Sequence, residues 1–289
     1  MRRSAKKLLG VAGSIVILAG IGYVVSNADG ARYVPAFSVV KKDKGPVFRE
    51  GCLVYGAKVV SGPCVYGRKD SDKTVVVFGD SHALQWTPAL IEVARKRDWK
   101  LVALLRGNCT AALVTIDRIC DTWRRNSLKR IRREKPGLVF VASNTQPNVF
   151  AKRNGKRLSR AASEPILRQG LYRTLLALRK SGAEVTLMRD LPMANDFLPS
   201  ECVKENRKRP SRCSFRARRP LSEAYDLAAA KRLKRVQVVD PLPQVCPGHT
   251  CRAVRGRILT FRDRGHISAT YSRTLAGWLG HRLQDPWRR

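Results

Sequence analysis

The sequence predicts an α/β fold: a mainly parallel, five-stranded sheet covered by helices on both faces, a three-layer α/β/α sandwich. Short apolar runs rich in β-branched residues recur along the chain, and each is followed by a longer stretch with helical periodicity. Strands alternating with helices in this way favour a parallel sheet with a helical layer on each side. The 289 residues, 44% of them hydrophobic, suffice for one sizeable domain with a full core.

The elements follow in order. "TVVVF" (74–78) is a buried strand, and "LQWTPALIEVARKRD" behind it is a helix with Trp86, Leu90 and Val93 on one side. Trp86 is expected in the core, with a flat face for a sugar ring as the alternative. "KLVALL" (100–105) is the second strand, Asp121 to Glu134 a basic helix, and "GLVFVAS" (137–143) the third strand. A long helix opens with Ser163-Glu164-Pro165 and stops at Gly182. "AEVTLMRD" (183–190) is the fourth strand, "LSEAYDLAAAKRLKR" a helix and "VQVVD" (236–240) the fifth strand. "RILTF" (257–261) is a short extended segment, and a final helix runs from His266 through "SATYSRTLAGWLGHRL". No internal repeat is visible.

Ahead of this domain, residues 29–73 form a Gly/Pro/Lys-rich lead-in. Arg2, Arg3, Lys6 and Lys7 precede an uncharged apolar run from Leu8 to Val25, within residues 1–28. That run is at the low end of a bilayer-spanning length and longer than a usual signal-peptide core. A retained transmembrane anchor is favoured, although Ser26-Asn27-Ala28 also reads as a cleavage site. Either way the positive flank stays in the cytoplasm and the domain is carried out of it.

Eight cysteines fall into four close sequential pairs: Cys52 and Cys64, Cys109 and Cys120, Cys202 and Cys213, Cys246 and Cys251. An exported chain makes local disulfides in that order the natural reading. No CxxC occurs and the four histidines do not cluster with cysteines, so no metal and no cofactor is expected. The 57 Lys and Arg against 22 Asp and Glu give a net charge of +35, which draws a protein to polyanions. Zinc-finger spacing, an RNP-like aromatic pattern and a basic zipper are all missing, which argues against specific nucleic-acid recognition.

The stretch "VVVFGDSHALQW" raises the chemical question. A strand-to-helix turn needs small and capping residues, and that alone accounts for Gly79-Asp80-Ser81. The alternative is that Ser81 is a nucleophile presented at a strand end beside the positive end of a helix. Arg106-Gly107-Asn108, Asn144, Asp190 and Asp240 also fall at strand ends, where such sheets bind ligands. Asp263 and His266, spaced i, i+3, can point the same way and supply an oriented base.

"GDSHALQWTPAL" and "DRGHIS" resemble the first and last sequence blocks of the SGNH hydrolase superfamily. More closely they resemble the extracytoplasmic SGNH domain attached to acyltransferase-3 membrane proteins, which O-acetylate cell-surface polysaccharide or peptidoglycan. Those domains share a cysteine pair after the second strand, a D-P strand-end loop and a late DxxH. Here these are Cys109 and Cys120, Asp190-Leu191-Pro192, Asp240-Pro241 with Cys246 and Cys251, and Asp263 with His266. The resemblance runs from about Cys52 to the end. It implies a flavodoxin-like SGNH hydrolase fold, Ser81 as nucleophile with His266 and Asp263, and an oxyanion hole from Ser81 N–H, Gly107 and Asn144. The third block departs from the family's GxND, because Asn144 follows Ser143 with no aspartate after it.

Acyltransferase-3 proteins carry many membrane helices, whereas this chain shows one candidate span. The resemblance therefore implies the SGNH half alone, on the cell membrane with its domain in the periplasm or at the cell surface. Its expected partners are an acyl donor, a cell-envelope glycan acceptor and a separate multi-helix membrane protein that supplies acyl groups. The leading expectation is a serine O-acyltransferase working through acyl-Ser81. An esterase or deacetylase of envelope glycans is the runner-up. A non-catalytic polyanion-binding module, suggested by the charge, is the third.

Overall fold

A computed structural model describes residues 33–146, 149–194, 196–216 and 224–288. The main sheet has seven strands: β1 (Leu53–Val54), β2 (Val65–Gly67), β3 (Thr74–Gly79), β4 (Lys100–Arg106), β5 (Leu138–Ala142), β6 (Glu184–Met188) and β7 (Val236–Val239). Its order is β1-β4-β3-β5-β6-β7, with β2 antiparallel on β4. The five expected strands are all present and parallel, and their order β4-β3-β5-β6-β7 is the flavodoxin-like 2-1-3-4-5 pattern. The chain reverses direction along the sheet between β3 and β5, so a crevice opens beyond the C-terminal end of β3.

The expected five-stranded sheet is corrected by β1 and β2. They pair end to end along one edge of β4, parallel for β1 and antiparallel for β2. Two- and three-residue strands are too short to show any periodicity. Residues 33–73 are accordingly part of the folded unit rather than a lead-in to it. The expected anchor, Leu8 to Val25, lies outside the described residues. Among the described residues no helix is long and apolar enough to cross a membrane.

The central strands are buried on both faces, and their side chains alternate between two cores. Val75, Val77, Leu101, Ala103 and Phe140 face a core covered by α1 (Ser81–Leu84), α2 (Thr87–Lys96), α7 (Ala269–Thr274) and α8 (Ala276–Arg282). Val76, Phe78, Val102, Leu104 and Val141 face the other, under α3 (Arg118–Glu134), α4 (Arg160–Lys180) and α6 (Tyr225–Ala230). A further short helix, α5 (Pro199–Glu205), carries Cys202.

Three helix boundaries differ from expectation for identifiable reasons. The helix behind Ser81 breaks at Gln85–Trp86 into α1 and α2, with Pro88 in the first turn of the second. Helix α4 starts a turn before Ser163, because Ser159 accepts a hydrogen bond from Ala162 N–H and caps it. The last helix starts at Ala269, capped by Ser268, so His266 precedes it. Of the helix expected over 221–235, the described part is helical over Tyr225–Ala230. The "RILTF" segment forms one arm of a hairpin with Val254–Arg255.

All four sequential disulfides form: Cys52–Cys64, Cys109–Cys120, Cys202–Cys213 and Cys246–Cys251. The first ties β1 to the segment entering β2. The second ties the loop after β4 to α3.

Candidate active site

Gly79 ends β3 in register with Ala142 of β5, and a Cβ there would collide with the Ala142 carbonyl. Only glycine lets the two strand ends close up at this point. Asp80 then caps α1: its Oδ1 accepts from His82 N–H at 2.8 Å. Its Oδ2 accepts from Asn144 N–H at 2.9 Å and lies 2.9 Å from Ser143 Oγ, which fastens the β5 end to the turn. Asp80 is therefore structural, and Ser81, first residue of α1, is the group presented. As the first residue its N–H has no partner within the helix.

His266 Nε2 lies 2.9 Å from Ser81 Oγ, and its Nδ1 lies 2.9 and 3.0 Å from the two oxygens of Asp263. The i, i+3 spacing works through a turn rather than a helix. Asp263 Oδ1 accepts from the N–H groups of Gly265 and His266, folding the backbone so that the ring meets its own carboxylate. Gln85 Oε1 holds the next residue by accepting from Ile267 N–H at 3.0 Å. Ser81, His266 and Asp263 thus come together in the hydrogen-bond sequence of a serine triad, from residues 185 positions apart.

The electrostatics favour a neutral base. Burial, with positive charge from His82 and Arg262, pushes the His266 imidazole down to about 4, against the opposing effect of its hydrogen bond to Asp263. Burial works against the Asp263 carboxylate, but its hydrogen bond and attraction to His266, and the Arg262 charge, hold it well below the usual carboxylate range.

A cavity of about 210 Å³ opens beside Ser81, lined by Asp80, Ser81, Asn108, Thr110, Asn144 and Val149. Asn144 stands on this wall, its side-chain oxygen accepting from Gln146 N–H at 2.8 Å. Gly107 is placed differently. Its N–H donates to Val54 O at 3.1 Å within the sheet edge, and the neighbouring Asn108, left-handed at φ 57°, lines the cavity instead. The wall is stiff, since Cys109–Cys120 anchors it and buried Arg124 donates to the carbonyls of Thr110, Ala112 and Val114.

Two other strand-end acids have separate tasks. Asp240 pairs with Arg189 at 3.0 Å and does not reach the serine. Asp190 binds His82, Oδ1 to Nδ1 at 2.6 Å, and also accepts from Thr145 and Leu191 N–H. The His82 ring lies 4.5 Å from that of His266. Sequence reasoning placed Asp190 at a strand end but gave no partner for it, because its partner lies 108 residues away. Trp86 is buried against Trp278, so it packs in the core and offers no face to a sugar.

No group of His, Cys, Asp and Glu that could hold a metal ion occurs among the described residues.

The family model for the SGNH domain (fused to AT3 domains) matches residues 51–279. The periplasmic domain of a lipopolysaccharide acetyltransferase from Salmonella ser. Paratyphi A superposes with a TM-score of 0.56 at 15% identity, covering 81% of this chain and 87% of that one. A GDSL-like lipase from Bacteroides thetaiotaomicron gives 0.41 at 14% identity, over 73% of this chain and 88% of its own. A lipolytic protein of the G-D-S-L family from Desulfitobacterium hafniense gives 0.44 at 14%, over 73% and 99%. No curated protein matches the chain.

Proposed function

The chain belongs to the SGNH domain family (fused to AT3 domains), an acyl-ester-acting group, and on that premise we propose that it is an exported serine O-acyltransferase. It moves a short acyl group, most simply acetyl, to a hydroxyl of a cell-envelope glycan. The observation that carries this reading is the continuous Ser81–His266–Asp263 hydrogen-bond chain at the mouth of a small cavity.

Ser81 Oγ attacks the acyl carbonyl while His266 Nε2 takes its proton. The Asp263 carboxylate stabilises the imidazolium and fixes its tautomer. The tetrahedral oxyanion is held by Ser81 N–H together with groups of the cavity wall, Asn144 among them. Collapse expels the donor alkoxide, which takes the proton back from His266, and leaves acyl-Ser81. His266 then removes the proton of the acceptor hydroxyl, which attacks the acyl-serine and regenerates the enzyme.

The family and the four disulfides support an extracytoplasmic location. Residues 8–25 serve as the membrane anchor, and a separate multi-helix membrane protein delivers acyl groups. The second reading is an esterase, which shares the acyl-Ser81 state and differs only in giving the acyl group to water. The test is partition. The full chain is given 4-nitrophenyl acetate with and without envelope glycan, and the glycan is examined by mass spectrometry. Acetylated glycan supports the transferase. Release of acetate alone, unaffected by any glycan, moves the assignment to the esterase. Failure of Ser81 to label with a fluorophosphonate would leave only a polyanion-binding module.

A further inference from the structure

Tyr55 is a large aromatic side chain left in the open, with 47% of its surface exposed, in a position that packing does not require. It is also held still. Val54 before it accepts from Gly107 N–H, and Arg106 donates to the carbonyls of Gly56 at 2.6 Å and Lys58 at 2.5 Å just after it. Cys52–Cys64 closes the loop around it. The ring rests against Gly107, where a Cβ would collide with it, so a glycine is needed there for the tyrosine to lie down.

Strand register fixes where this ring stands. Leu53 of β1, Leu105 of β4 and Gly79 of β3 lie abreast. Tyr55 and Ser81 each follow two residues later, leaving the same end of the sheet two strands apart. Two strand spacings amount to about 10 Å. Between them lies Asn108, the residue after Gly107 and part of the cavity wall beside Ser81. A cleft of about 670 Å³ runs along the same sheet edge, lined by Val54 and Lys58, which flank Tyr55 in the chain, and by Val60 and Lys69 among others, with Glu50 at its margin.

We propose that Tyr55 is the stacking platform of an acceptor subsite, binding a sugar ring further along the glycan than the one acylated and directing the chain along the sheet edge that carries Lys58. A rigid exposed aromatic loses little conformational freedom on binding and offers an apolar face with a polar hydroxyl at its rim, which suits the alternating C–H and O–H groups of a sugar. The span of about 10 Å is longer than one acetyl ester and falls within the reach of an oligosaccharide whose acylated ring lies at Ser81. The two lysines suit an acidic sugar beyond it. The subsite names the acceptor class of the proposed transferase and so rests on that reading, but its binding test does not.

Calorimetric titration of the full chain carrying Ser81→Ala with chitopentaose and with an oligogalacturonide measures binding without turnover. At least one is expected to bind. Adding Tyr55→Ala is expected to weaken that binding about tenfold, and Tyr55→Phe, which keeps the ring, to restore most of it. With Ser81 intact, Tyr55→Ala should raise the oligosaccharide KM about tenfold more than the KM for 4-nitrophenyl acetate. Failure of both sugars to bind, or equal affinity with and without the Tyr55 ring, overturns the subsite. An equal rise in both KM values assigns Tyr55 to the acyl donor and overturns it as well. Sugar binding that depends on Tyr55, without any acetyl transfer, keeps the subsite and sinks the transferase.

Discussion

His82 Nδ1 lies 2.6 Å from Asp190 Oδ1, with both side chains sealed from solvent directly behind the Ser81–His266 pair. Burial works against the charged form of each, but mutual charge and hydrogen bonding prevail, holding His82 above and Asp190 below their ordinary values. A protonated His82 ring 4.5 Å from His266 opposes protonation of the latter.

The consequence is a pH prediction. His266 must be neutral to accept the Ser81 proton, and with its imidazole held at about 4 the acid limb of kcat/KM should fall near that pH. His82→Asn keeps a donor toward Asp190 and removes the positive neighbour, so protonating His266 becomes easier. The acid limb should move up by about one unit, or about 1.4 kcal/mol. A limb that stays in place or moves down would show that the His82 charge does not hold His266 down.

Ser81→Ala and His266→Ala are each expected to lower kcat/KM by about three to four orders of magnitude, with folding intact by circular dichroism. Asp263→Asn should cost nearly as much, because Asp263 accepts from both the ring and the backbone of the turn that carries it. Turnover of an aryl acetate by purified Ser81→Ala near the wild-type rate would remove the serine from the chemistry.

The sequence made Ser81 visible because its strand is a continuous buried run and its turn residues are obligatory. Gly79 has no room for a Cβ, and Asp80 caps the helix. Asp263 and His266 were legible as a pair through their spacing, although the turn that joins them was expected to be helix. Other features left no local signal. The pairing of β1 with β4 rests on two residues, and the His82–Asp190 contact joins positions 108 apart. Gly107 was expected at the oxyanion, yet its N–H is used by Val54, which only the edge pairing reveals. Tyr55 gains its meaning from that same edge.

Gly79→Ala tests the close approach of β3 to β5. The added methyl meets the backbone carbonyl of Ala142, which no side-chain rotation can relieve, and the φ of 151° is strained for any other residue. A loss of about 2–4 kcal/mol is expected, read as a lower midpoint in urea with unchanged slope. Stability within about 0.5 kcal/mol of wild type would mean that the two strand ends can part.

Peptide mapping of exported protein without reductant should recover the four sequential bridges and no free thiol. The three longer loops close 11 or 12 residues, and each bridge is expected to add up to about 2–3 kcal/mol through the unfolded chain. Removing Cys109–Cys120 should also slow turnover, since that bridge anchors the loop that walls the Ser81 cavity. Cys202–Cys213 should affect stability alone. Equal effects of the two on kcat would contradict this division.

The net charge of +35 predicts how the acceptor is gathered. Exposed cations line the outer face of α3, with Arg125, Lys129, Arg132 and Arg133, and the hairpin of Lys152, Arg153, Lys156 and Arg157. These attract an anionic glycan over distances that salt shortens to about 10 Å or less at moderate ionic strength. The acyl-Ser81 step involves no such attraction, because a neutral aryl acetate carries no charge. Raising salt from about 0.05 to about 0.5 M is therefore expected to raise KM for an acidic oligosaccharide by about an order of magnitude. The KM for 4-nitrophenyl acetate should change by less than about twofold, and that for a neutral oligosaccharide should follow the ester. Because water competes for the same acyl-serine, the ratio of transfer to hydrolysis should fall along with acceptor binding. Equal salt dependence for acidic and neutral sugars would show that the cationic surface serves some partner other than the acceptor.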